Sequence, residues 1–183
     1  MHKNSQKRIY QEGYVYFITS STYNRYPYFE EKLLCELFID NLRICKELKG
    51  FELFGFVILP DHFHMMLRPS NDYNYSQIIK SLKENFSRNV NIMMGLTHIG
   101  ATTSSRLLEL RYIFQKNYND NTFPKYYWQK SFYDHVIRDK KDFNTHLNYI
   151  WYNPEKHKII NDYTKYKYSS YKNYRDLIDK IIS

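Results

Sequence analysis

The chain contains few cysteines and no long apolar segment, and each absence excludes a class of protein. Cys35 and Cys45 are the only two cysteines among 183 residues, and their spacing fits neither a zinc motif nor a disulfide framework. This usage agrees with a reducing compartment. No apolar run approaches the roughly 18 residues of a membrane-spanning helix, and residues 1–13 contain no segment of signal-peptide type. We therefore expect a soluble, intracellular protein with no membrane partner.

The composition that is present is basic and rich in tyrosine. The formal net charge is +8, the isoelectric point is about 9.2, and the chain has 20 tyrosines and 12 phenylalanines. A basic balance favours polyanions such as nucleic acid or an anionic membrane surface. Aromatic rings beside Lys and Arg can stack on bases, although ordinary packing explains many of these tyrosines equally well.

Apolar periodicity predicts elements in the order β-α-β-β-α-β, followed by a third helix. The predicted strands span 13–20, 51–59, 62–68 and 126–137, and the predicted helices span 30–49, 75–94 and 140–153. A short last helix is predicted over 174–182. The order is that of an α+β, ferredoxin-like (RRM-like) antiparallel sheet with helices on one face and an additional C-terminal helix.

The length suits a single domain over residues 1–183, because the chain shows no internal repeat and no linker. We expect a core at about 13–155 and a basic, tyrosine-rich tail at 156–183. Residues 97–124 fit this scheme poorly, since RLLELRYIF reads as a short helix or strand between two loops.

Two histidines follow the turn signal at Pro60 and Asp61. Side chains two apart in a strand point to the same face, so His62 and His64 should lie side by side. Two neighbouring imidazoles can hold a metal ion, and they can also be ordinary strand histidines. Asp61 most simply shapes the turn, and it is also a candidate to orient a ligand.

The predicted helix over 140–153 carries two stripes of side chains. The apolar stripe, which should face the core, consists of Phe143, Leu147, Ile150 and Trp151. The other stripe, about 100° around the axis, consists of Asp142, His146, Tyr149 and Asn153. If this second stripe faces the histidine pair, two imidazoles, an amide oxygen and a phenol meet. Such a set suits phosphodiester chemistry with Mg²⁺ or Mn²⁺ and a tyrosine nucleophile.

These motifs resemble those of a known family. PDHFHMML resembles the His-hydrophobic-His motif of the HUH endonucleases, and YIWYNP resembles the nucleophile helix of the single-tyrosine transposases. WQKSFYDHVIRD, NPEKHKI and YKYSSYKNY look most like segments of the REP-associated tyrosine transposases. The resemblance covers residues 13–174, and the stretch 97–124 is longer here than is usual in the family.

The resemblance implies a metal-dependent single-stranded DNA endonuclease and strand transferase that acts at imperfect DNA hairpins through a 5′-phosphotyrosine intermediate. It implies Tyr149 as the nucleophile and His62, His64 and Asn153 as ligands of a divalent metal, Mg²⁺ or Mn²⁺. His146 lies on the same stripe and could orient a ligand or contact a phosphate, or be a surface histidine. Such a protein is expected to be cytoplasmic, prokaryotic and nucleoid-associated, and either a monomer or a homodimer.

The basic side chains that could track DNA phosphates lie on the second helix and in the tail. They are Lys80, Lys83, Arg88, Lys156, Lys158, Lys165, Lys167, Lys172 and Arg175. A solvated helix face and a tail that closes the domain by tyrosine packing are the alternatives.

Three other functions remain open. The same fold could serve as a non-cleaving, hairpin-binding regulator. A different HUH enzyme that nicks replication or transfer origins is weakened by the small size and by the lack of a helicase-like segment. A hydrolase with a histidine-rich strand fits worst, because Met66 occupies the third alternating position.

The Asn153–Pro154 step disfavours a helical Asn153 and should end the helix there. His98, His135 and His157 are expected to be surface residues without a role in the site.

Overall fold

One antiparallel sheet of four strands organises the chain, which a computed structural model describes over residues 10–100, 103–118 and 123–180. The strands are β1 (Tyr16–Ser21), β2 (Glu52–Leu59), β3 (His62–Arg68) and β4 (Tyr133–Val136). Their order is β2-β3-β1-β4, so the histidine strand β3 lies in the interior of the sheet. Every pairing is antiparallel, which confirms the predicted α+β class.

Helices cover both faces of this sheet. They are α1 (Lys32–Lys49), α2 (Tyr75–Met93), α3 (Ser105–Asn117) and α4 (Lys140–Lys156). Helices α1 and α2 pack on the face that displays Phe63, Met65 and Leu67, where the larger core lies. Helix α4 covers the opposite face, which displays His62, His64 and Met66, and its Leu147 and Ile150 belong to a smaller core there. Because successive side chains of β3 point to opposite faces, one face of the strand joins the larger apolar core and the other face carries the buried imidazoles.

The long segment 97–124 contributes a helix rather than a strand. Its buried side chains Leu107, Leu110 and Phe114 recur at three- and four-residue spacing, and they pack into the core formed with α1 and α2. Ser104 caps the helix by accepting a hydrogen bond from the Leu107 amide.

Two predicted elements have different bounds in the structure, and one predicted helix does not form among the described residues. The strand predicted over 126–137 forms only at Tyr133–Val136, because Tyr126 and Trp128 turn into the helical layer, where the first meets the Phe86 ring edge-on and the second packs against it at a tilt. Helix α4 does not end before Pro154 but continues to Lys156 with that proline buried inside it. No helix forms over 174–180, and the last residues of that prediction lie outside the described ranges.

The segment after α4 runs along the outer edge of β2. The Ile58 amide donates to the Tyr168 carbonyl and the Ser170 amide donates to the Phe56 carbonyl, both at 2.9 Å, and the Asp179 amide reaches the Leu53 carbonyl at 2.8 Å. These bonds occupy backbone groups that an edge strand otherwise exposes. Within the described ranges, no helix is long and apolar enough to span a membrane.

Candidate active site

The two histidines of β3 lie side by side beneath α4. His62 and His64 are 3% and 4% exposed, and their ring centroids are 4.8 Å apart. They pair with Ser21 and Thr19 of β1, so the register of two central strands fixes their backbone positions.

One nitrogen of each imidazole is fixed by a neighbouring oxygen. His62 Nδ1 donates to Asp61 Oδ1 at 2.5 Å, and His64 Nδ1 shares a hydrogen bond of 2.7 Å with Thr19 Oγ1. Arg25 Nε also contacts Asp61 Oδ2 at 2.9 Å. Burial raises the pKa of Asp61, but the hydrogen bond from His62 and the charges of His62 and Arg25 outweigh it and lower this pKa overall. Asp61 therefore orients His62 in addition to shaping the turn.

Tyr149 and Asn153 occupy neighbouring turns of α4 above these histidines. The half-buried Tyr149 ring meets the His64 ring edge-on at 5.2 Å, and Lys156 Nζ lies 4.7 Å from the centroid of the same tyrosine ring. Asn153 is fully buried, and its Nδ2 donates to the Tyr149 carbonyl at 3.3 Å. Because α4 passes through Pro154, Asn153 remains helical, contrary to the expectation from the Asn-Pro step.

The donor set fits a divalent cation. His64 Nε2 and Asn153 Oδ1 are both buried, and neither has a hydrogen-bond partner among the described residues. An unsatisfied buried polar atom costs about 1–3 kcal/mol, which coordination to a cation would offset. Burial, together with the charges of His62 and His157, holds the pKa of His64 well below its usual value. The imidazole is therefore neutral at pH 7, the protonation state that binds metal.

Sequence reasoning missed Thr19 and His157 as neighbours of this site, and it placed Lys156 among the DNA contacts of the tail rather than beside Tyr149. Thr19 was undetectable because only the β1–β3 register brings it beside His64. His157, which was expected to have no role, is exposed, yet its ring lies 5.5 Å from that of His62. Burial and the charge of His62 lower its pKa. A helix continued past Pro154 would have placed Lys156 and His157 one turn beyond Asn153, so the early helix end concealed both.

The other two members of the predicted stripe lie beside β4 instead. His135 Nε2 donates to Asp142 Oδ2 at 2.9 Å, and His146 Nδ1 donates to Asp142 Oδ1 at 2.8 Å. The two imidazoles stack with their centroids 4.5 Å apart. This cluster could hold a metal ion, because its ligand atoms lie within 4.8 Å of one another. His135 is thus not a fully exposed surface residue, since its side chain is 21% exposed and contacts Asp142.

The predicted DNA-contacting cations differ in their surroundings. Lys83 is 9% exposed and donates to the Gln129 carbonyl at 2.8 Å. Lys172 and Lys156 lie over tyrosine rings, and Lys158 is exposed just beyond α4. The remaining side chains contact acidic, amide or carbonyl groups of the protein; they are Lys80, Arg88, Lys165, Lys167 and Arg175.

Comparisons with known proteins agree with this architecture. The family model described as "Transposase IS200 like" matches residues 10–100. A Haemophilus influenzae protein named as a REP-associated tyrosine transposase is 31% identical over 172 residues, which cover 92% of this chain and 85% of that protein. The REP-associated tyrosine transposase of Escherichia coli K12 is 25% identical over 169 residues, or 90% of this chain and 81% of that protein.

A solved structure shows the same fold. It is that of a REP-associated tyrosine transposase bound to a REP hairpin, with a TM-score of 0.70 and 21% identity over 97% of this chain and 89% of that one. The chain therefore belongs to the REP-associated tyrosine transposases, a family of enzymes.

Proposed function

We propose that this enzyme cleaves and rejoins single-stranded DNA beside imperfect hairpins, with Tyr149 as the nucleophile. The observation that supports this most strongly is the contact between the Tyr149 and His64 rings at 5.2 Å, which brings a phenol to a buried imidazole pair within one chain. A monomer can therefore assemble the whole set, although a homodimer is compatible with the same chemistry. The relative that was solved with a REP hairpin supports hairpin DNA as the partner.

Some side chains of the site would bind the metal ion, and others orient those ligands. His62, His64 and Asn153 would hold the ion, while Asp61 and Thr19 fix the imidazole orientations. A bound Mg²⁺ or Mn²⁺ would polarise the scissile phosphate and neutralise part of its charge. The unpaired His64 Nε2 and Asn153 Oδ1 support this assignment, because both offer lone pairs that no described donor satisfies.

The reaction transfers the scissile phosphoryl group from the 3′ oxygen of the DNA to the phenol oxygen of the tyrosine. The Tyr149 phenol oxygen attacks the phosphorus while the bond from phosphorus to the 3′ oxygen breaks. The proton that the phenol loses is balanced by the one that the leaving oxygen takes up as it becomes a 3′ hydroxyl. The Lys156 ammonium lies over the ring, where its charge favours the negative charge that develops on the phenol oxygen. Attack by a second 3′ hydroxyl on the 5′-phosphotyrosine reverses the step, so the energy of the cut bond is conserved.

The test is formation of a covalent adduct on labelled single-stranded hairpins from the source genome, with Mn²⁺ present. Wild type should form an adduct that survives denaturing electrophoresis. Tyr149→Phe should abolish it, and Tyr152→Phe, on the exposed side of the same helix, should not. EDTA should prevent cleavage without preventing hairpin binding.

Two outcomes would contradict the proposal. An undiminished adduct in Tyr149→Phe would exclude this nucleophile. Tight hairpin binding by wild type with no adduct on any of these hairpins would favour the non-cleaving regulator instead.

A further inference from the structure

We infer that His135, Asp142 and His146 form a second metal site, separate from the histidine pair of β3 and selective for a borderline ion such as Zn²⁺. The site joins β4 to the first turns of α4, because His135 is on the strand and the other two ligands are on the helix. Nothing in the proposed cleavage reaction uses these three side chains.

The donor atoms already have a spacing that metal coordination needs. The two imidazole nitrogens lie 2.9 Å and 2.8 Å from the carboxylate oxygens, and the ligand atoms are within 4.8 Å of one another. Ligands bound at about 2.0–2.2 Å in a tetrahedron are themselves roughly 3.3–3.6 Å apart. Small side-chain movements therefore suffice to admit an ion between them.

The surroundings of the three side chains allow a metal ion to enter and be held. The three side chains are 19–22% exposed, so an ion can reach them from solvent and a water molecule can complete the coordination. The Arg138 amide donates to Asp142 Oδ2 at 3.1 Å and orients the carboxylate, as neighbours of metal ligands commonly do. To bind the ion, each neutral imidazole must move its single proton from the nitrogen that faces Asp142 to its other ring nitrogen, a change of tautomer that leaves a lone pair for the ion.

The chemistry of the donors distinguishes this site from the first. Two imidazoles and one carboxylate match three-ligand zinc centres with one open position. The first site combines imidazoles with an amide oxygen, a set that suits the harder Mg²⁺ or Mn²⁺. Phe17 lies between the two, with its ring 4.8 Å from His146 and 5.3 Å from His64. An ion at the second site would fasten α4 to the sheet one turn before Tyr149.

The test counts zinc ions bound to the full-length chain after treatment with EDTA and desalting. Zn²⁺ is titrated in competition with a chromophoric chelator, and every variant carries His64→Ala so that the first site is disabled. His64→Ala alone should bind one ion more than His64→Ala with His146→Gln. The weakening should exceed the roughly 10–100-fold that loss of a supporting neighbour produces, because a direct ligand is removed.

Controls make the comparison specific. Glutamine keeps an amide N–H that can donate to Asp142, and metal-free circular dichroism checks that the fold is retained. His98→Gln, at an exposed histidine elsewhere, should leave the ion count unchanged. Zn²⁺ should raise the Tm of His64→Ala but not of the double variant.

Equal ion counts in the single and double variants would overturn the inference and leave a metal-free hydrogen-bonded triad. If His146→Gln fails to fold, His135→Gln on β4 makes the same comparison.

Discussion

Gly55 of β2 lies directly beneath Leu147 of α4, so close that a Cβ at Gly55 would come within 2.6 Å of Leu147 Cδ1. The same hypothetical atom would lie 3.9 Å from Ile150 Cδ1. The absence of a side chain at this position sets how near the tyrosine helix can approach the sheet.

Replacing Gly55 with alanine should therefore displace α4. Overpacking of this kind costs about 1–3 kcal/mol, and we expect Tm to fall by roughly 2–4 °C for each kcal/mol in a chain of this length. Adduct formation should fall more than hairpin binding, because the Tyr149 ring would shift relative to His64. Gly100→Ala is the matched control, since a Cβ there meets no atom within 4 Å. Unchanged stability in Gly55→Ala would show that Leu147 simply rotates away.

Thr19→Val should weaken metal binding without removing a ligand. The substitution keeps the shape of the side chain but loses the hydrogen bond to His64 Nδ1. Loss of such an orienting partner typically costs 10–100-fold in metal affinity, so the Mn²⁺ concentration for half-maximal cleavage should rise by about that factor. Cleavage at saturating Mn²⁺ should recover toward the wild-type rate.

The control for Thr19→Val is its neighbour on the same strand. The Ser20 hydroxyl is buried on the other face and has no hydrogen-bond partner among the described residues, so Ser20→Ala should leave the Mn²⁺ dependence unchanged. Equal behaviour of the two variants would mean that Thr19 does not position His64.

Lys156→Met should slow cleavage more than it weakens binding. The ammonium lies 4.7 Å from the Tyr149 ring centroid, and in the proposed reaction it would stabilise the negative charge that develops on the phenol oxygen. Lys156 is exposed, so a cation–π contribution of about 0.5–1 kcal/mol is expected, which corresponds to a rate loss of roughly 2- to 5-fold. Lys158→Met removes one positive charge from an exposed position two residues further along the chain. It should affect only salt-dependent binding. Identical rate losses in the two variants would point to general electrostatics rather than to the ring contact.

The pH dependence of stability should reflect His64. Burial lowers the pKa of this imidazole in the folded chain, so below the usual value of about 6.5 the unfolded chain binds more protons than the folded chain. The free energy of unfolding in urea with EDTA should therefore decrease as pH falls from 7 through 6.5 and below. His64→Gln should flatten this decrease, because glutamine does not titrate. An unaltered slope in the variant would assign the effect to other groups, and His157→Gln would test the nearest of them.

The periodicity of apolar side chains was sufficient to predict the architecture, because it is regular in the elements that are most deeply buried. In β3, alternating residues divide between the two faces, and every described residue of the strand except Arg68 is buried. The pattern predicted that His62 and His64 share a face, and the structure confirms this placement. The spacing of Tyr149 and Asn153 likewise predicted neighbours one turn apart on α4.

Local rules failed where tertiary packing opposed them. A proline removes one backbone donor, but α4 continues past Pro154, and its bonding pattern resumes when the His157 amide donates to the Asn153 carbonyl at 3.0 Å. The cluster at His135 joins residues from β4 and α4, and no periodicity within either element predicts that they meet. The partner of His64 on β1 was hidden for the same reason, since register between strands is not written in either strand alone.

The segment that lies along the edge of β2 has a mechanical consequence. Lys165, Lys167 and Lys172 flank the residues that bond to the strand, so their backbone cannot swing freely relative to the sheet. If DNA phosphates bind these lysines, the DNA strand is therefore held at a fixed position relative to the sheet that carries His62 and His64, and not on a flexible tail.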